Sequence, residues 1–578
     1  MTHLHRTPSR TPRILLSGVF GPYGVDDEFG RAKNIMELFH NQVTKGQGLA
    51  SFRLHHRSFG LYFMAANLDA DVTVLDFPSR RRFEKEVKKG YDIIGISFIT
   101  PNFKKAREMA RVCRESAPDA EIVLGGHGAA IEGVETLIEC DHVVKGEGIR
   151  WFRQHLGQDV DAPVIHPILP ASEWQSVYGV PIPGKTNSLL VPGVGCVNGC
   201  NFCATSHYFG KRYTPFLRTG KEIFDTCCRL ADERGTDNFF VMDENFLKDK
   251  ERALALIHEM ERHQRYFKFY LFSSAETIAS IGIDNLVRLG VIFIWIGFET
   301  KSRQGNYEKN NAIHGPELVQ QLRDVGVSVL ASGILCLEEH TPSNIQEDID
   351  FMTELNADLV QFMLYTPLPV TALYTQLKAK GLIRNDLPFE DWHGQQVLNW
   401  RHPAFPGDSA EQWLNRAFKM EYEANFSSVY RMVETSFRGY KTLSAMQNGN
   451  PNLYVRMQQA MERTQEYRPM LEVLKTNAPP AEQRRADDLQ KQITALLGPL
   501  PLSARLLAMG ARVAAVYWKM RVRTKGDMRQ PRTICTHYSQ GSVTRRPSKS
   551  SNHAPVVSSA SPIAAIRDAR DVAACSRL

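Results

Sequence analysis

No apolar run in the 578 residues approaches the ~18 needed to cross a bilayer, so no transmembrane helix is expected. Cysteine is sparse: ten in all, only three of them clustered, which excludes a disulfide framework and suits a reducing cytosol. Acid is scarce near the carboxyl end. From residue 501 on, fourteen Lys or Arg face only Asp527, Asp568 and Asp571, which leaves residues 1–500 at −4 although the whole chain carries +7. The basicity belongs to the tail, and the body gives no reason to expect a nucleic-acid partner. The start, MTHLHRTPSRTPRILLSGVF, sets basic residues before an apolar run. ILLSGVF is too short for a signal-peptide core and is followed by turn residues, so a first β-strand is expected there. The remaining composition, 43% hydrophobic, is that of an ordinary globular chain of about three domains.

Short buried strands are expected at 14–19, 72–76, 93–98, 121–124 and 142–144, separated by helix-like segments such as 102–116. Strands alternating with helices imply a doubly wound parallel sheet over 12–155, whose ligand lies beyond the carboxyl ends of the strands. The loops there read GVFGPYG (18–24), SFITP (97–101), GGHG (125–128) and GEG (146–148). Their glycines are either ligand approaches or the tight turns such a fold needs anyway. Proline-rich 156–186 reads as an extended linker. A second strand–helix series follows over 187–384, with strands at 188–191, 238–242, 268–272, 291–297, 328–335 and 359–364; six such units suggest an open, partial TIM-like (βα)6 barrel with its chemistry at the strand ends. Residues 385–523 are expected to form a helical domain, aromatic-rich over 385–475, with those aromatics in the core. Within it, 502–523 is basic and amphipathic. Docking on the body with a solvated outer face is the favoured reading, and peripheral contact with an anionic membrane the alternative. Residues 524–578 are poor in large apolar side chains and are expected to be disordered.

Cys196, Cys200 and Cys203, in GCVNGCNFCATSHYFG, have spacing C-x3-C-x2-C just after the first barrel strand. Thiolates at this density favour an iron–sulfur cluster, and three of them leave one iron of a [4Fe–4S] cluster open for chemistry. Zinc would need a fourth ligand, for which His207 is the candidate. With Phe202 before the last cysteine, the run resembles the signature of the radical S-adenosylmethionine (SAM) enzymes. That resemblance implies SAM chelated at the open iron and cleaved to a 5′-deoxyadenosyl radical.

Other strand ends carry the same resemblance. FFVMDENF puts Asp243 and Glu244 at the barrel mouth, where acids can neutralise the SAM α-ammonium. VIFIWIGFET ends in Glu299 and Thr300, similar to a G-x-E-S element whose acid contacts SAM. SGILCLEEHTP keeps Gly333 of a strand that holds adenine by its backbone, but puts Cys336 where relatives have a second Gly; a buried small hydrophobe is the favoured role for this thiol. YTPLPVTALY resembles the T-P-x-P-G-T-x-L-Y element of the cobalamin-type branch, with Val370 in place of Gly. The N-terminal loops resemble the cobalamin-binding domain that precedes many radical SAM domains, which assigns corrin contacts to Ser97, Thr100, Gly125 and Gly126, with His127 and Glu147 on the same edge. No D-x-H-x-x-G motif is present, so a cobalt without a protein histidine beneath it is expected.

The function implied is that of a cytoplasmic radical SAM enzyme using a [4Fe–4S] cluster, SAM and cobalamin to methylate an unactivated carbon of a small-molecule or lipid substrate, fed by an electron donor such as flavodoxin or ferredoxin. Cyclisation or rearrangement without methyl transfer is the alternative within the family. A noncatalytic metal-binding protein is the alternative outside it.

Overall fold

The computed structural model describes residues 11–21, 42–47, 52–177, 180–181, 186–301, 313–447, 449–525 and 532–539. Pro22, Tyr23 and Gly24 of the first loop, Pro183 of the linker and most of the basic tail lie outside them. The N-terminal half contains β1 (Arg13–Gly18), β2 (Phe52–His56), β3 (Asp71–Asp76), β4 (Ile93–Ser97), β5 (Glu121–Gly125) and β6 (His142–Val143). All but β2 form one parallel sheet in the order β3-β1-β4-β5-β6. Both faces are covered: Leu15, Ile94 and Ile96 pack into one core, and Ile14, Leu16, Val72 and Val74 into another. This is why the strands read as nearly continuous apolar runs. Chain direction across the sheet reverses at β1/β4, the switch point where such sheets open a crevice beyond their carboxyl ends.

Two stretches expected to be irregular are partly ordered. Within 156–186, β7 (Ser172–Val177) pairs with β2 on one side and with β8 (Val180–Pro181) on the other in a separate three-stranded antiparallel sheet, so this segment is more than a linker. The expected barrel then follows as β9 (Ser188–Leu190), β12 (Asn238–Val241), β13 (Lys268–Ser273), β14 (Val291–Glu299), β15 (Ser328–Leu335) and β16 (Leu359–Leu364), in sequential parallel order; β10 (Gly193–Val194) and β11 (Thr214–Pro215) form a small ribbon beneath the cysteine loop. Finally β17 (Ile534–Tyr538), inside the tail expected to be disordered, adds antiparallel to β3. ICTHY alternates, and its Tyr538 is buried in the core beneath the sheet, which closes an edge that β3 would otherwise leave open.

Beyond the barrel the chain is helical only from Ser409. Before it, Trp392, Trp400 and Phe405 are buried in the barrel core, and Trp400 Nε1 donates to the Tyr365 carbonyl at 2.9 Å. The aromatics are core, as expected, but those before Ser409 belong to the barrel. Helices Ser409–Asn425, Ser428–Ala445, Pro451–Tyr467, Pro469–Asn477, Pro480–Leu497 and Leu502–Lys525 complete the chain. The last docks with Ala508, Ala515 and Trp518 buried, and turns Leu502, Leu506, Met509 and Val513 outward, so its outer face is apolar and not the polar one expected. Among the described residues no helix is long and apolar enough to cross a membrane.

Candidate active site between the two sheets

A cavity of about 510 Å³ opens where the carboxyl ends of the N-terminal sheet meet the barrel mouth. That volume is in the range of a small-molecule or cofactor site. One wall holds Ser97, Gly125, Gly126, His127 and Glu147; the other holds Gly195, Tyr208, Asp243 and Glu244. Residues expected to serve two different cofactors therefore face one space.

On the first wall, Gly126 sits at φ 79°, and a Cβ there would lie 2.6 Å from the Phe98 carbonyl oxygen, so only glycine permits this close turn. Gly125 has open space beside it. His127 stacks on Tyr208, centroids 4.6 Å apart, and burial holds its pKa below the usual histidine value. Its Nε2 is buried with no hydrogen-bond partner among the described residues. A glycine-lined wall with an orphaned imidazole nitrogen fits a large, amide-bearing ring such as a corrin. Glu147 caps helix Gly148–His155, accepting from Ile149 N at 2.6 Å and Arg150 N at 2.9 Å, so its carboxylate is committed locally. Thr100 is buried in the turn Thr100–Asn102 and does not line the cavity.

On the second wall the cysteine loop is pinned from within. Ser206 Oγ donates to the Cys196 carbonyl at 2.8 Å and accepts from Gly199 N at 3.0 Å, while His207 Nε2 meets the Cys200 carbonyl at 3.2 Å. Gly195, at φ 90°, would drive a Cβ into the Arg212 carbonyl. Among the described residues the one set of three ligand-type atoms within 4.8 Å of one another is Glu121, His142 and His155, away from the cavity. Cys196, Cys200 and Cys203 are not such a set as their side chains stand. Burial pushes the Cys203 thiol up to about 11 and Cys196 in the same direction, so loading iron must release protons.

The two adjacent acids differ. Asp243 Oδ2 accepts from Tyr213 Oη at 2.7 Å and pairs with the buried Arg252 guanidinium at 3.1 Å, and its Oδ1 accepts from Asn245 N at 3.1 Å. It is a structural counter-ion. Glu244 has no side-chain hydrogen bond or ion pair among the described residues, and it is accessible from the cavity that it lines. The surrounding protein and then the Asp243 charge push its carboxyl up to about 7. Ser273 and Ser274 hold this loop through Asn245: Ser273 Oγ donates to Asn245 Oδ1 at 2.7 Å, and Asn245 Nδ2 donates to Ser274 Oγ at 2.9 Å.

Glu299, Thr300 and Gly333 are outside the cavity wall. Glu299 stands opposite Gly333 in the β14–β15 register, after an irregularity, and is buried with φ 65°. A Cβ at Gly333 would meet Met352 at 3.0 Å, so this glycine serves packing of helix Ile345–Glu354. Cys336 is fully buried and its thiol is pushed up to about 12, which suits an inert hydrophobe. Val370 and Cys336, the two residues replacing glycines of the resembled elements, both hold left-handed backbone, at φ 76° and 59°. Sequence reasoning missed Arg57, Ser58 and Asp76 at the cavity's far end, where Asp76 accepts from Ser58 N at 3.0 Å and Ser58 Oγ at 2.8 Å. The signal was the polar run HHRSFG at the end of β2.

Comparison with known proteins follows the same division. A B12-binding domain model matches residues 48–154, and a radical SAM superfamily model matches residues 190–352. An uncharacterized methyltransferase of Pyrococcus horikoshii is 22% identical over 343 residues, 54% of this chain and 72% of its own length. Bacteriochlorophyllide d C-8(2)-methyltransferase of Chlorobaculum tepidum is 24% identical over 377 residues, 60% of this chain and 80% of its own. The anaerobic magnesium-protoporphyrin IX monomethyl ester cyclase of Rubrivivax gelatinosus is 22% identical over 368 residues, 55% and 65% respectively. The chain thus carries a B12-binding domain followed by a radical SAM domain, and each supplies one wall of the cavity.

Proposed function

We propose that the protein methylates an unactivated carbon of a small-molecule or lipid substrate in the cavity between the two sheets. In this reading 12–155 carries the corrin, with Ser97, Gly125, Gly126 and His127 along its edge. Residues 187–384 carry the cluster on Cys196, Cys200 and Cys203, and Glu244 receives the SAM α-ammonium. The observation that supports it is the shared cavity, walled on one side by the glycine loops and on the other by Gly195 and Thr205, which flank the cysteines, and by Glu244; the three cysteines themselves are not in its lining. When bound, the cluster, SAM and corrin supply a hydrogen-abstracting radical and a transferable methyl group. The chain's own work is positioning and shielding. Ser206 and His207 fix the cysteine loop, Asp243 with Arg252 fixes the strand end from which Glu244 projects, and Phe98, Tyr208, Phe209 and Phe216 line the space with apolar surface that excludes water. Electrons come from a small donor of the flavodoxin or ferredoxin type.

The methyltransferases among the relatives favour methyl transfer; the cyclase supports a second reading, radical chemistry without it. Protein grown with hydroxocobalamin and reconstituted anaerobically with iron and sulfide separates the two. Retained corrin absorbance, with S-adenosylhomocysteine and 5′-deoxyadenosine both formed in the presence of substrate, supports methylation. Turnover that yields 5′-deoxyadenosine without S-adenosylhomocysteine supports cyclisation or rearrangement.

A further inference from the structure

Helix Leu502–Lys525 has 24 residues. Leu502, Leu506, Met509, Val513, Val516 and Met520 recur along it at alternating steps of four and three, and all six are between 59% and 73% exposed. Tyr517, 57% exposed, widens the stripe. A contiguous apolar face of this size on an otherwise soluble-looking surface marks an interaction site. The opposite face explains why the helix stays on the body. Ala515 and Trp518 are buried against Val473, Arg512 Nε donates to the Glu472 carbonyl at 2.8 Å, and the Arg53 guanidinium lies over the Trp518 ring at 5.0 Å. The helix is thus anchored by its alanines, Trp518 and Arg512 and presents its large aliphatic residues.

Charge decides what the stripe meets. The segment LSARLLAMGARVAAVYWKMRVRTK contains six basic residues and no Asp or Glu; Arg512 is engaged by Glu472 and Arg521 lies on the Trp518 ring, while Arg505, Lys519 and Arg523 are exposed. The four–three spacing would also suit a coiled coil with a second copy, but two copies would bring only positive charges together along the seam in either orientation. Six basic residues also keep the helix from crossing a bilayer, in agreement with the absence of any membrane-spanning helix among the described residues. An apolar stripe flanked by Lys and Arg alone matches a surface that is apolar a few ångströms down and negative on top. We propose that helix Leu502–Lys525 lies in the surface of an anionic phospholipid bilayer and holds the enzyme there. Arg53 belongs to β2, whose other end, His56 and then Arg57, lines the cavity, so the docked face is about one short strand from the site.

The test uses the full-length protein, and its readout is independent of catalysis. Sedimentation with vesicles of one part phosphatidylserine to three parts phosphatidylcholine should exceed that with phosphatidylcholine alone by at least about tenfold, and should weaken as salt is raised. The triple variant Leu506→Glu, Val513→Glu, Val516→Glu changes only exposed positions, so its melting temperature should match the parent's while vesicle binding is lost. A second variant, Arg505→Gln with Lys519→Gln and Arg523→Gln, should lose the preference for anionic lipid. Equal binding to both vesicles or none to either overturns the proposal, as does a concentration-dependent dimer that the triple variant dissolves.

Discussion

Asp243 and Glu244 are neighbours in the chain with opposite duties, and conservative amide substitutions separate them. In Asp243→Asn the Arg252 guanidinium, 3% exposed, loses its buried counter-ion and keeps only the exposed Asp249, 3.9 Å away, while remaining at the Tyr213 and Phe246 rings. Breaking a buried pair from one side costs about 3–5 kcal/mol, so this variant should unfold at clearly lower denaturant. Glu244→Gln removes no internal partner and relieves repulsion from Asp243, so its stability should equal or slightly exceed the parent's at neutral pH. The sign follows from the raised pKa. A carboxyl held near 7 against an ordinary 4.5 contributes stability below 4.5 that is lost as pH rises through 7. SAM affinity should respond in the reverse pattern. One charge-assisted hydrogen bond is worth about 1.5–3 kcal/mol, so Glu244→Gln should weaken SAM binding roughly ten- to a hundredfold in the reconstituted enzyme. Because an α-ammonium binds the ionised carboxylate, parent affinity should rise with pH, with an inflection at or above 7 since an anionic cluster adds in the same direction. The variant should lose that inflection. Isothermal titration with SAM across pH, paired with denaturant melts, reads both effects. Unchanged SAM affinity in Glu244→Gln, or unchanged stability in Asp243→Asn, refutes the division of roles.

Other perturbations follow from backbone geometry. Val370→Gly relieves a β-branched residue at φ 76° and should stabilise the protein by about 0.5–1 kcal/mol after the added entropy of the unfolded chain, measured as a shift in denaturant midpoint. Cys336→Gly relieves the same kind of strain but empties a fully buried position, so it should not stabilise in the same melt. Gly126→Ala sets a methyl against the Phe98 carbonyl and should abolish corrin retention after growth with hydroxocobalamin, while iron content after reconstitution stays at the parent level.

The parallel strands were legible because both their faces are buried. Ser328–Leu335 and Leu359–Leu364 match the expected bounds, and the other sheet strands fall within two residues of theirs. Strands that pair antiparallel at an edge were not. FRLHH and ICTHY are short, half polar, and acquire a partner from more than a hundred residues away, which no local pattern announces. The place of the cysteine loop after the first barrel strand was legible, and so was that of the acids after β12. What was not legible is which acid is committed: Arg252 reaches back from the next helix, and Tyr213 comes from thirty residues earlier. The basic amphipathic pattern of 502–523 was visible too, yet an amphipathic pattern does not say which face docks. Here the small residues do, because Ala508 and Ala515 allow close approach that Leu would prevent.

The account rests on Cys196, Cys200 and Cys203 holding a cluster against which SAM is cleaved, and the most direct measurement is 5′-deoxyadenosine formed from SAM under a strong reductant by anaerobically reconstituted protein. The parent should form it, and Cys196→Ala, Cys200→Ala and Cys203→Ala should each form none while remaining folded. A parent that forms no 5′-deoxyadenosine, or a cysteine variant that still does, contradicts the account.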